Sequence, residues 1–295
     1  MSTRRQLRWL ISAPGYLIVP GAYDALTARL VQLAGFEAVY LTGGGFSRAS
    51  GYPDIGLMTL PEIVRFIGLT VDTVDIPVIA DADSGYGNAV NVVRTVREFE
   101  KAGVSAFHLE DQVTPKKCGH YLGKQVIGAA EMVGKIKAAV DTRRDADMVI
   151  IARTDARAIE GLEAAMERMN AYLEAGADVG FVEAPETVEE LAAVPPGIDG
   201  PAMVNVFAGG KTPALPAAEL EAMGFRLGIY PNQTHRAAIR AAREVLDVLK
   251  SDGDTLRFED RMATWMEREE AVNTNYWRDL ERKYLVPSSE LPDPP

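Results

Sequence analysis

Cysteine occurs once in the 295 residues and histidine three times. A single cysteine excludes an internal disulfide and every multi-cysteine zinc site. Positive charge is also scarce: 31 Lys and Arg stand against 42 Asp and Glu, a formal net charge of −11. Nucleic acids and anionic membranes both reward a basic surface, so neither is an expected partner. An anionic small substrate stays admissible, because it responds to local cations and not to the net field. No apolar run approaches the roughly 18 residues of a membrane-spanning helix. The N-terminal "MSTRRQLRWLISAPG" carries an arginine pair but too short an apolar stretch for a signal peptide. A soluble cytoplasmic protein is the expectation. The dinucleotide-binding fingerprint is missing too, since "TGGGFS" has glycines without the GxGxxG spacing.

What is present is an ordinary globular composition, 47% hydrophobic and 25% charged, enough for a sizeable core in one large domain or two small ones. Short apolar, β-branched runs recur: "YLIVPG" (16–21), "AVYLTGGG" (38–45), "PVIADAD" (77–83), "SAFHLED" (105–111), "MVIIARTD" (148–155), "VGFVEAP" (179–185), "AMVNV" (202–206) and "LGIYP" (227–231). Stretches with helical spacing lie between them, and several end in Ala-Gly, where glycine supplies a left-handed cap. Eight apolar strands alternating with helices predict a parallel α/β sheet closed into a (β/α)₈ barrel over residues 1–254. An open doubly wound sheet is the alternative. The amphipathic stretch 255–285 exceeds what closure needs and reads as a helical tail that packs on a partner subunit or on its own barrel. The end, 286–295, is too polar and proline-rich to fold.

Asp81, Asp83, Glu110, Asp111, Arg153, Asp155, Glu183 and Asn205 all fall at or just past strand ends, which converge on one face of a parallel barrel. Asp81, Asp83, Glu110 and Asp54 of "GYPDIG" form a carboxylate cluster. Such a cluster calls for a hard, oxygen-preferring cation such as Mg²⁺, with Mn²⁺ as the substitute. Zinc fits less well, because His108 is the one nitrogen donor nearby. The competing reading pairs some of these carboxylates, Asp54 and Asp83 foremost, with Lys116 or Arg153. The Arg153 guanidinium has the geometry to grip a carboxylate with two hydrogen bonds. In "VTPKKCGHYLGK" (113–124), Cys118 sits among Lys116, Lys117 and His120, in polar company that favours a working thiol over a structural one.

The blocks "YLTGGG", "DADSGYGN", "HLEDQVTPKKCGH", "IARTDAR", "FVEAPE" and "GGKTP" together resemble the isocitrate lyase/phosphoenolpyruvate mutase superfamily, in particular its methylisocitrate lyase and 2,3-dimethylmalate lyase-like branch. The resemblance runs from about Tyr16 to the tail helices. It implies a (β/α)₈ barrel in a homotetramer whose C-terminal helices are exchanged between subunits, and a Mg²⁺-dependent carbon–carbon lyase acting on a 2-hydroxy di- or tricarboxylate. By the same resemblance Asp81 binds the metal directly, and Asp54, Asp83 and Glu110 hold its waters. Tyr40, Glu110, Arg153, Cys118 and His120 would be catalytic, with Cys118 on a loop that closes over the substrate. Thr42, Gly43, Gly44, Lys116, Glu183 and Asn205 would contact the substrate. Ala208, Asn232 and Gln233 depart from the branch's usual residues in the region that meets the distal half of the substrate. An oxaloacetate hydrolase or decarboxylase, a carboxyphosphonoenolpyruvate-type phosphonomutase and a non-catalytic binding protein are the other readings.

Overall fold

The computed structural model describes every residue except His120, Leu122 and 286–295. Eight strands form: β1 (Leu17–Ala22), β2 (Val39–Leu41), β3 (Val78–Asp81), β4 (Ala106–Glu110), β5 (Val149–Thr154), β6 (Val179–Val182), β7 (Ala202–Asn205) and β8 (Phe225–Tyr230). Each pairs in parallel with the next, and β8 returns to β1, so the sheet closes. Each of the eight apolar runs supplies one strand of the expected (β/α)₈ barrel. The open sheet is not formed.

The strands are apolar throughout because both faces are covered, the outside by helices and the inside by facing strands. Strand side chains alternate between those faces. On β4 the alternation gives Ala106, His108 and Glu110, on β5 Val149, Ile151 and Arg153, and on β6 Val179 and Phe181 followed by Glu183. The apolar members of these series join Leu17, Val19, Ile79, Met203 and Leu227 in one interior cluster, while the members nearest the C-terminal ends are charged. This change of polarity along the barrel axis separates a packed floor from a polar mouth.

The opening helix α1 (Thr3–Ser12) contributes to that floor. Leu7 and Ile11, one turn apart, are buried in the interior cluster. Arg4 donates to the Val104 carbonyl (2.9 Å) and to Asp145 (2.9 Å), and Arg8 to Asp178 (3.0 Å). The arginines of the N-terminal stretch therefore fasten α1 to the connections that enter β4, β5 and β6. Helix Ala89–Ala102 ends at Gly103 with φ 91°, the left-handed cap read from its Ala-Gly junction.

The chain divides into two compact units, Met1–Ala238 and Ile239–Pro295. The first holds all eight strands. The second takes up most of helix Gln233–Asp252, a 3₁₀ turn (Leu256–Arg261) and helices Trp265–Ala271 and Thr274–Tyr284. Leu256, Trp265, Met266 and Trp277 are exposed on it. The sequence "VPSSELPDPP" lies outside the described residues. Among the described residues no helix is long and apolar enough to cross a membrane.

Candidate active site

At the barrel mouth, β2 delivers Tyr40 and then Thr42, which caps the short helix Gly43–Ala49 by accepting from the Gly45 N–H (3.2 Å). The glycines here permit close approach. A Cβ on Gly43 would lie 2.7 Å from Asp81 Oδ2, and one on Gly44 2.7 Å from Asp54 Oδ2. Tyr40 Oη is 2.8 Å from His108 Nε2 and donates to Asp81 Oδ2 at 3.4 Å. Register places Asp81 beside His108 and Glu110 beside Arg153 on neighbouring strands.

After β3 the chain turns sharply. Asp83 adopts φ 46°, a left-handed conformation uncommon for a residue with a Cβ. Its N–H donates to Asp81 Oδ1 (2.9 Å), and its carboxylate meets Lys116 Nζ at 2.8 Å. The same ammonium donates to Asp54 Oδ1 at 2.5 Å. Lys116 is buried, so it is a cation set between two carboxylates. The pairing that competed with metal ligation for Asp54 and Asp83 is thus present in this conformation.

Arg153 is buried above Phe181, its guanidinium carbon 5.3 Å from the ring centre. It donates through Nε to Asp155 Oδ2 (2.9 Å) and through Nη2 to Oδ1 (3.1 Å), and Nη1 stands 3.2 Å from Glu110 Oε2. Asn205 donates to Glu183 Oε1 at 3.3 Å, joining β7 to the end of β6. The two-toothed grip expected of Arg153 exists, and its target here is Asp155.

Burial sets the protonation of these groups. It pushes Glu110 well above the usual carboxylate range, with Arg153 opposing, and raises Asp83 to about 6 against the pull of Lys116. Burial acts the same way on Asp81, but His108, Lys116 and Arg153 outweigh it, and that carboxyl is held low. Burial lowers His108 to about 4, more than Asp81 restores, so the imidazole is neutral at pH 7. Asp155 is lowered to about 2, because Arg153 and Lys124 overcome its burial.

Cys118 is half-buried on the loop that crosses this mouth. Its N–H donates to the Asp54 carbonyl (3.2 Å), and its own carbonyl accepts from the Tyr121 N–H (2.8 Å). The next residue, Gly119, lies so close to Arg153 and Glu183 that a Cβ would stand 2.8 Å from Arg153 Nη2 and nearer still to Glu183 Oε1. Lys124 folds back under the loop, donating to the Gly119 carbonyl (2.5 Å) and to Asp155 Oδ1 (2.7 Å). Gly119 and Lys124 thus lie against the strand ends. His120 lies outside the described residues.

The donor set suits a hard dication. Asp54, Asp81, Asp83 and Glu110 offer only oxygen, and neither carboxyl oxygen of Glu110 makes a hydrogen bond. Lys116 already occupies a cation's place between two of them. Among the described residues no three His, Cys, Asp or Glu side chains stand together as a ready ligand cage. One direct carboxylate with the rest reached through water is the arrangement Mg²⁺ accepts, because it gives up its waters reluctantly.

Tyr40, Thr42, Gly43, Gly44, Asp54, Asp81, Asp83, Glu110, Lys116, Cys118, Arg153, Glu183 and Asn205 are thus all carried on the C-terminal ends of the strands and on the loops that follow them. Gln233, one of the departures from the branch pattern, donates to the Val206 carbonyl (2.8 Å), and the Ala208 carbonyl accepts from Arg236 (2.7 Å). The sequence reading missed Lys124. A lysine six residues past a cysteine carries no sign that it folds back.

A phosphoenolpyruvate phosphomutase family profile matches residues 7–250 of the chain. The chain is 47% identical to 2,3-dimethylmalate lyase of Eubacterium barkeri over 287 residues, 97% of this chain and 99% of that one. Among solved structures, oxaloacetate acetylhydrolase in complex with the inhibitor 3,3-difluorooxalacetate superposes with a TM-score of 0.91 at 34% identity, covering 96% of this chain and 97% of that one. Phosphonopyruvate hydrolase in complex with oxalate and Mg²⁺ gives a TM-score of 0.89 at 30% identity, with 97% and 100% coverage.

Proposed function

The chain belongs to the phosphoenolpyruvate mutase/isocitrate lyase superfamily, and we propose that it is a metal-dependent carbon–carbon lyase. Its substrate is a 2-hydroxy di- or tricarboxylate of the dimethylmalate or methylisocitrate type. The products are a 2-oxo acid and a second carboxylic acid. The observation that carries this reading is Gly119, next to the chain's one cysteine, packed against Arg153 and Glu183 at a mouth whose carboxylates, Asp54, Asp81, Asp83 and Glu110, offer only oxygen.

As the C2 hydroxyl gives up its proton and becomes the 2-oxo group, the C2–C3 bond breaks and leaves its electron pair on a carbon next to a carboxylate, and that carbon needs a proton. Phosphoryl migration makes no such demand. Cys118 is the donor in this reading, since a thiol gives up a proton more readily than the hydroxyl groups of the site. His120 tunes it. Arg153 binds the substrate's carboxylate oxygens, and Tyr40, Thr42, Gly43 and Gly44 seat the half that becomes the 2-oxo acid. Glu110 assists from beside Arg153, and Glu183 and Asn205 line the other half. Mg²⁺, or Mn²⁺ in its place, bound by Asp81 and through water by Asp54, Asp83 and Glu110, would supply charge stabilisation at the C2 oxygen. Lys116, now paired with Asp54 and Asp83, would then be available to a substrate carboxylate.

The exposed tryptophans and aliphatic residues of the second unit support a homotetramer built through the tail. A cytoplasmic location goes with this reading.

The test is a Mg²⁺-supplemented panel of 2-hydroxy dicarboxylates and oxaloacetate, read by mass spectrometry. The lyase releases a 2-oxo acid with an equimolar second acid. Oxalate and acetate from oxaloacetate would instead establish the hydrolase, the second reading, which the similarity to oxaloacetate acetylhydrolase keeps in view. A rearranged C–P bond would establish a mutase, and inactivity across the panel a binding protein.

A further inference from the structure

The Cys118 loop is fastened at both arms. On the incoming arm, Gln112 receives the Lys117 N–H (3.0 Å) and donates to the Lys117 carbonyl (2.8 Å), so the backbone is gripped before the thiol. The returning arm is held differently. Lys124 is buried, and its ammonium spans two acceptors, the Gly119 carbonyl and Asp155 Oδ1. Asp155 Oδ1 also accepts from Arg153 Nη2, so one oxygen serves the loop lysine and the substrate-side arginine together. Asp155 is itself fixed from behind. Its N–H donates to Asp111 Oδ1 (2.9 Å), while Asp111 Oδ2 accepts from Thr154 (2.7 Å) and Tyr172 (2.9 Å).

We propose that Lys124 is a positioning residue that locks Gly119, and with it the adjacent Cys118, over Arg153 by bridging the Gly119 carbonyl to Asp155. The inference rests on the reading of Cys118 as proton donor, and it assigns the closed state of the loop to one side chain. A lysine that served the barrel alone would bond only to strand ends. This one spends a donor on a carbonyl of its own loop, five residues back. Through Asp155 the loop and Arg153 share an anchor, so the thiol is held in place only where the arginine is also aligned.

The lone cysteine makes the test clean, because iodoacetamide labelling of the full chain reports on Cys118 and nothing else. Lys124→Met keeps the aliphatic stem and leaves Asp155 paired with Arg153, so the barrel retains its ion pair. Losing a charge-assisted tether opens the loop about tenfold or more, and labelling accelerates accordingly. We expect that acceleration with a Tm loss smaller than that of Lys116→Met, because Arg153 still compensates Asp155, a fall in kcat larger than the change in KM, and recovery of labelling and kcat in Lys124→Arg. If Lys124→Met does not fold, Lys124→Gln, too short to span both acceptors, gives the same reading. Wild-type labelling rates in the Met or Gln variant overturn the proposal. So does faster labelling that comes with a collapse in Tm or that Lys124→Arg does not reverse. Labelling needs no substrate, so a faster rate in a chain that cleaves no carbon–carbon bond would leave the tether standing and remove the lyase reading instead.

Discussion

Replacing Lys116 with methionine should raise the protein's affinity for Mg²⁺ while lowering its turnover. Lys116 Nζ sits 2.5 Å from Asp54 and 2.8 Å from Asp83, with all three side chains nearly closed to solvent. A dication held at the proposed site competes with this ammonium for the two carboxylates, so the wild type would weaken the pairing on binding metal. Removing one partner of a buried ion pair typically costs about 3–5 kcal/mol, because the charge left behind is uncompensated. In metal-free Lys116→Met that cost appears as a lower Tm, roughly 5–8 °C for a chain of this size. Mg²⁺ then restores the lost compensation, and the variant gains what the wild type spends on displacement. Even a third of the pair's cost, about 1.4 kcal/mol, is a tenfold tighter Kd. Titration calorimetry on EDTA-stripped protein, with differential scanning fluorimetry with and without Mg²⁺, reads both effects. Turnover should fall as well, because Lys116 is also a proposed substrate contact. A Mg²⁺ affinity that is unchanged or weaker in Lys116→Met would refute the idea that the lysine stands in a cation's place.

Asp81→Ala should abolish turnover together with Mg²⁺ dependence, and near wild-type activity in that variant would move the metal elsewhere. His108 should protonate late as pH falls: NMR of the metal-free protein should show its ring titrating near pH 4, and a midpoint near 6.5 would contradict its burial. The unfolded chain takes up that proton near pH 6.5 and the folded chain near 4. The residue therefore costs stability, up to about 3 kcal/mol, as pH falls through that window. Truncation after Asp254 removes the exposed Leu256, Trp265, Met266 and Trp277 and should lower the oligomeric state in light scattering. Retention of the native mass would show that the tail is not the assembly element.

Much of the barrel was legible because parallel strands buried on both faces leave uninterrupted apolar runs, and each of the eight runs became a strand. The placing of the charged residues at the strand ends was legible for a related reason. Period-two alternation in runs such as "AFHLE" and "VIIART" ends on Glu110 and Arg153, and a charge ending an apolar strand in a closed barrel has only the mouth to face. Part of the long-range pairing was legible too, since Lys116 stood as an expected partner of Asp54 and Asp83, and it bridges both. The bridge from Lys124 to Gly119 and Asp155 was not, because it depends on where the loop lands and no spacing marks it. Helix α1 was hidden similarly, since Leu7 and Ile11 among arginines show only a short apolar stretch until the barrel floor is there to receive them.

The central claim is that Cys118 gives a proton to the carbon released by C–C cleavage, and kcat of Cys118→Ser on the substrate found in the panel tests it most directly. Serine keeps the size and a hydrogen-bond donor but is a far weaker acid than a thiol. In Cys118→Ser kcat should fall ~10²–10⁴-fold, the usual worth of general acid catalysis, with substrate affinity and Tm close to wild type. An intact kcat, with or without a lower Tm, would contradict it.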